Sequence, residues 1–201
     1  MEHQKALPAV EVRVSEERLG NAQCTLHLPV LTPDPFGFNA FWRGRLRRLR
    51  QRAAAADTAF PMRMTADWQE TRLDGQTVSG FLEIALCTGY ADWRLERISA
   101  TFLRGRRGNI PLGTLLTVEG RRRLPPLTSE KVEQLSRQGE TPFFPPRMRR
   151  EETVLRPYRY YLTGEGLAIW FPQESIAPRT AGLPTVFFPF DELRGLLRFS
   201  F

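Results

Sequence analysis

With 201 residues, of which 41% are hydrophobic, 11% aromatic and 25% charged, the chain can bury roughly 70% of its unfolded surface, and its composition is that of a folded protein. Two cysteines, Cys24 and Cys87, exclude a disulfide scaffold, and two histidines, His3 and His27, leave little for a metal site. The formal net charge is +7, all but two of the 29 basic residues are arginine (the lysines are Lys5 and Lys131), and no apolar run approaches the ~18 residues of a membrane helix or the core of a signal peptide.

Val10, Val12 and Val14 alternate with Glu11 and Arg13, the period-2 pattern of a half-buried strand. After the turn signal Leu19-Gly20-Asn21, Cys24 to Leu28 alternates again and is predicted to stop at Pro29, completing a hairpin. Breakers from Thr32 to Gly37 precede a helix predicted from an Asn39 cap to about Ala56. On that helix Phe38, Trp42, Leu46, Leu49, Ala53 and Ala56 share one stripe, and Arg43, Arg47 and Arg50 share a face turned to water. Met62, Met64, Ala66 and Trp68 then alternate towards an Asp74-Gly75 turn. Phe81 to Cys87 and Trp93 to Phe102 read as two more strands of a meander, joined through Gly89 to Asp92.

Gly105 and Gly108-Asn109 make a basic turn with Arg104, Arg106 and Arg107, followed by a short apolar anchor, Ile110 to Leu116. Thr128 or Ser129 is predicted to cap a short second helix that Gly139 stops. Thr141 to Pro146 reads as a proline loop with Phe143 and Phe144 tucked against the core. Tyr158, Tyr160 and Leu162, the turn Thr163 to Gly166, and Leu167 to Phe171 form a hairpin. Val186 to Phe188 is a last strand, and Asp191 to Leu197 a final helical turn or two.

The run Tyr160-Tyr161-Leu162-Thr163-Gly164-Glu165-Gly166 with the aromatic strand to Phe171, then Glu174-Ser175-Ile176-Ala177-Pro178 and Ala181-Gly182, resembles the C-terminal domain of RsiV-type anti-sigma factors. Pro189 to Leu193 fits the end of that pattern, and Cys87 to Trp93 can be laid on an earlier family loop, where Thr88, Gly89 and Ala91 match and Asp92 replaces the family's histidine. The resemblance implies a single domain over 1–201, strongest over 158–197, in which Thr88, Gly89, Ala91, Tyr160, Leu162, Gly166, Ile176, Ala177, Pro178 and Gly182 are structural. It also implies a bacterial binding or sensing module with no chemistry of its own, of a kind found beside polysaccharide deacetylase domains. RsiV-type proteins bind lysozyme through this region. Lysozyme is strongly basic, so a chain of charge +7 is expected to repel it and to prefer an acidic partner.

The residues themselves offer little chemistry. Cys24 and His27, three apart in a strand, face opposite sides and make no nucleophile and base, and Cys87 reads as core. Glu151 and Glu152 read as solvated charge, and Gly105 to Gly108 lacks the Lys and Ser or Thr of a phosphate loop. Arg43, Arg47, Arg50, Arg106 and Arg107 remain as candidate contacts to an anionic partner, with a solvated surface as the alternative. The expected fold is α+β: an antiparallel sheet, built of a meander and a C-terminal hairpin, with one main helix on a face and short accessory helices. The expected function is a non-enzymatic binding module for a protein or anionic polymer, without cofactor, metal or integral membrane segment. An arginine-dependent nucleic-acid binder and, third, a wall-associated enzyme stay open. The chain as written reads as cytoplasmic, and as extracytoplasmic if a leader has been removed.

Overall fold

The computed structural model describes residues 8–55, 61–89, 92–139, 142–145 and 154–201. The chain opens with the expected hairpin, β1 (Ala9–Leu19) and β2 (Ala22–Thr32), closed by the two-residue turn at Gly20 and Asn21 with Gly20 at φ +61°. Two expectations about it are corrected. Val12 and Val14 are 47% and 63% exposed rather than half-buried, because β1 is an edge strand; of the three valines on that side, only Val10 reaches the core. Nor does β2 stop at Pro29, which pairs with Val12 inside the strand. Pairing of β2 to the next strand ends at His27, so the missing amide of Pro29 breaks no ladder on that side.

Helix α1 (Phe38–Ala54) starts as expected after the breakers, but Asn39 is not its cap. The Asp34 carboxylate accepts the amides of Phe36, Phe38 and Asn39 at 3.2, 3.0 and 2.9 Å. Asn39 instead clips the helix to β2, accepting the Leu31 amide and donating to the Leu31 carbonyl, both at 2.9 Å. The stripe Phe38, Trp42, Leu46, Leu49 and Ala53 is buried as read, while Ala56 lies outside the described residues. Because α1 crosses the sheet, β3 (Met62–Leu73) returns parallel to β2, from Ala22 opposite Met62 to His27 opposite Asp67. β4 (Thr77–Thr88) and β5 (Asp92–Leu103) complete the meander antiparallel, giving the order β1-β2-β3-β4-β5. Phe38, Trp42, Trp68 and Phe102 meet edge to face under α1, with ring centres 5.2–6.0 Å apart.

The remainder builds a second core. The apolar anchor is α2 (Leu112–Leu115), and the second helix, α3 (Val118–Gln138), is longer than read. Its cap is Thr117, whose hydroxyl accepts the Gly120 amide at 3.0 Å. Thr128 is buried inside the helix with its hydroxyl bonded to the Leu124 carbonyl, and Ser129 also lies within α3. Pro125 and Pro126 sit mid-helix beside the exposed Arg121 to Arg123, where carbonyls that lose an amide partner face water. Gly139, at φ +73°, ends α3 as expected. The late hairpin is β6 (Tyr160–Leu162) and β7 (Gly166–Trp170), joined by β8 (Thr185–Pro189) into a separate three-stranded antiparallel sheet, with Phe190–Leu193 as a closing 3₁₀ turn.

Hydroxyls stitch the two sheets together. Ser99 Oγ donates to the Tyr158 carbonyl at 2.6 Å and accepts the Trp170 indole N–H at 2.8 Å, while Ser79 Oγ accepts the Leu162 amide at 2.9 Å. The architecture is thus α+β: α1, a mostly antiparallel five-stranded sheet, and a smaller sheet docked on the β4–β5 end of its other face. No described helix is long and apolar enough to cross a membrane.

Candidate functional site

The arginines of α1 divide by what they touch. Arg43, Arg47 and Arg48 are exposed on the helix surface away from the aromatic core. Arg45 lies with its guanidinium 5.0 Å over the Phe41 ring. Arg50, read from the sequence as part of the open face, is tied to β1: its Nε donates to Glu17 Oε2 at 2.8 Å and its Nη2 to Oε1. That bond, with a second from Ser15, holds the Glu17 carboxyl below its ordinary value against the opposing effect of burial. Arg52 pairs with Glu96 at 2.8 Å. The face available to a partner is therefore Arg43, Arg47 and Arg48, without Arg50.

A second basic surface forms where chain segments distant in sequence meet. Arg106 and Arg107 are both exposed in the turn after β5. Arg106, with Arg72, Arg104, Phe199 and Phe201, lines an open cleft of about 460 Å³ beside the Asp74 turn. Arg72 is held there by Asp74 Oδ2 at 2.8 Å, with its guanidinium 5.4 Å from the centre of the Phe201 ring. Burial pushes the Asp74 carboxyl up, but the Gln76 amide, Arg72 and the Thr77 amide outweigh it and leave the group below its ordinary value. The sequence marked Arg106 but not its phenylalanine neighbours, which lie more than ninety positions away.

The face of the large sheet away from α1 carries a transverse row in register: Val14, His27, Asp67, Glu83 and Arg97, one from each strand in turn, with Arg97 covered by the smaller sheet, where it donates to Thr185 Oγ1 at 3.3 Å. His27 Nδ1 is hydrogen-bonded to Asp67, and Arg97 Nη2 donates to Glu83 at 2.5 Å while its guanidinium lies 4.0 Å over Phe81. Cys24 points the other way into the core under α1, as its spacing from His27 requires, and Cys87 is also buried. Asp67 was invisible as a neighbour of His27 because the parallel crossover that joins them is 40 residues long in sequence. Among the described residues, no group of three or more His, Cys, Asp or Glu is placed to hold a metal ion.

The positions singled out by the family resemblance shape the fold. The Tyr160 hydroxyl is buried and donates to the Ile110 carbonyl at 2.5 Å, and burial pushes its pKa far up. Leu162, Ile176 and Ala177 are buried. A β-carbon on Gly166 would stand 2.1 Å from the Phe188 carbonyl oxygen, and Gly182, at φ +64°, closes a 3₁₀ turn that follows Pro178. Thr88 ends β4 and Gly89 turns the chain at φ +68°. Ala91 and the side chain of Asp92 lie outside the described residues.

No curated protein matches the sequence. A crystal structure of a DUF3298-family member from Bacteroides fragilis superposes with a TM-score of 0.64 at 9% identity, over 94% of this chain and 92% of that one. A DUF3298-family protein from Pseudomonas aeruginosa superposes with a TM-score of 0.61 at 18% identity, over 96% and 95%. At these identities the likeness is one of fold. Residues 115–191 match the family model described as "Protein of unknown function (DUF3298)", and the chain around them is similar in fold to both of these DUF3298 structures.

Proposed function

We propose that the chain is a non-enzymatic binding or sensing module, close in role to the RsiV-type C-terminal domain it resembles, and that it recognises an acidic macromolecular partner through the outer face of α1. One observation carries this reading: Arg43 and Arg47 stand exposed one helical turn apart, beside Arg48, on a helix that contains no acidic residue. Such a face attracts a polyanion with a strength that falls as salt rises. Both free cysteines are buried, and burial pushes the Cys24 thiol up, away from the thiolate a nucleophile requires. The net charge of +7 disfavours a basic partner such as lysozyme. An acidic polypeptide is favoured over single-stranded nucleic acid, because Phe38 and Trp42 are buried and the half-buried Phe41 packs edge to face on Trp42 and Phe102 with the Arg45 guanidinium over its ring, so α1 offers bases no open stacking platform.

The test is fluorescence anisotropy of labelled polyglutamate, single-stranded RNA, duplex DNA, wall teichoic polymer and anionic vesicles titrated with the purified chain across a salt series. Saturable binding of an acidic polypeptide at physiological salt supports the proposal. Saturable binding of RNA or DNA alone transfers the same arginines to a nucleic-acid role, and no saturable binding of any probe overturns both.

A further inference from the structure

β1 is the outer strand of the large sheet, and its outer edge pairs with nothing among the described residues. The hydrogen-bond phase of that edge follows from two independent features. Leu19 and Ala22 flank a two-residue turn and are therefore a hydrogen-bonded pair, and counting along the ladder makes Val12 opposite Pro29 a non-hydrogen-bonded pair. Pro29 has no amide to donate, which requires the same phase. The amides and carbonyls of Val10, Val12 and Val14 consequently point away from β2, towards the open edge. The Val12 and Val14 side chains are exposed on one side of the strand. On the other side Glu11 and Arg13 form an ion pair at 3.6 Å with side chains 69% and 66% exposed.

We infer that this edge pairs with the same edge of a second copy of the chain, antiparallel, about a two-fold axis through Val12. In that register Val12 meets Val12 of the second copy and Val10 meets Val14, each a hydrogen-bonded pair made by groups that already point outward. Glu11 then lies opposite Arg13 of the second copy, and Arg13 opposite Glu11, so both sides of the strand are self-complementary. Neighbouring registers are worse. An axis through Arg13 sets the two copies of that arginine against each other, and an axis through Val14 sets Glu11 against Glu17 and Val12 against Glu16. Pro8, just before β1, cannot extend the ladder further. The two-fold axis stands perpendicular to the joined sheet, so both copies of α1 cover the same face and their arginines form one larger basic surface.

The experiment is sedimentation equilibrium of the full chain over a concentration series at low salt, for the wild type, Glu11→Arg, Arg13→Glu, the double swap E11R/R13E, and Val12→Pro. The wild type is expected at twice its 23.1 kDa mass. Either single reversal should weaken dimerisation about tenfold, since two symmetry-related pairs turn repulsive, and the double swap should restore it. Val12→Pro removes only an outward amide and should abolish the dimer, with thermal melting to check that the fold is kept. A wild type that stays monomeric throughout, or a dimer unmoved by all four variants, overturns the inference.

Discussion

Arg50 Nε lies 2.8 Å from Glu17 Oε2, so the helix that carries the open arginines is anchored to the edge strand by one of its own. The pair binds the first hairpin to α1 across 33 positions of sequence, and it makes a pH prediction with a definite sign. The Glu17 carboxyl is held low in the folded protein, so the unfolded chain binds more protons as pH drops. Its stabilisation is complete above the ordinary glutamate value of 4.5 and is lost as pH falls through the lowered folded value. Replacing Glu17 by Gln should cost about 1 kcal/mol at neutral pH, and the difference between the two proteins should vanish under strongly acidic conditions. Urea denaturation at several pH values measures it.

Two helical glycines should respond to alanine with opposite signs. Gly44, inside α1, has open space around it, so Gly44→Ala should gain up to about 1 kcal/mol from helix propensity alone. Gly120, in the first turn of α3, would place its new β-carbon 2.2 Å from the Leu196 carbonyl oxygen. That is a backbone atom that cannot swing aside, so the same substitution there should lose about 2 kcal/mol or more. Thermal midpoints of the two variants decide the matter, and equal signs would mean that Leu196 does not pack on α3 as described.

Ser99 sits between the two sheets as donor to Tyr158 and acceptor from Trp170. Ser99→Ala should cost about 1–3 kcal/mol, because it strands the indole N–H of a buried tryptophan. Ser99→Thr keeps the hydroxyl and is the control for volume. Denaturant midpoints, with tryptophan fluorescence as the probe, read both.

Most elements were legible because their periods were clean. The α1 stripe from Phe38 to Ala53 and the alternation of Met62, Met64, Ala66 and Trp68 both landed on the buried side. What misled were local rules overridden by position. Pro29 looked like a stop, yet it lies where β2 has a neighbour on one side only. Asn39 looked like a cap, yet the helix already begins at Phe38, and Asp34 takes the amides of Phe38 and Asn39 from outside it. Pro125 and Pro126 hid the first half of α3, whose solvent side tolerates them. The arginine face was legible in outline because 43, 47 and 50 share one side of a helix, but the loss of Arg50 to Glu17 depends on a strand two elements away. The pairing of His27 with Asp67 and the approach of Phe199 and Phe201 to Arg106 come from tertiary closure, which leaves no mark on local spacing.

If the open face of α1 holds the partner, reversing its charge breaks the complex. R43E/R47E/R48E and R106E/R107E should be compared with the wild type for the tightest acidic probe at physiological salt. All the altered side chains are exposed, so both variants should keep the wild-type melting profile. The α1 variant should weaken binding about a hundredfold and flatten the salt dependence, while R106E/R107E should change affinity by less than about fivefold. Unchanged binding by R43E/R47E/R48E would contradict a partner site on α1.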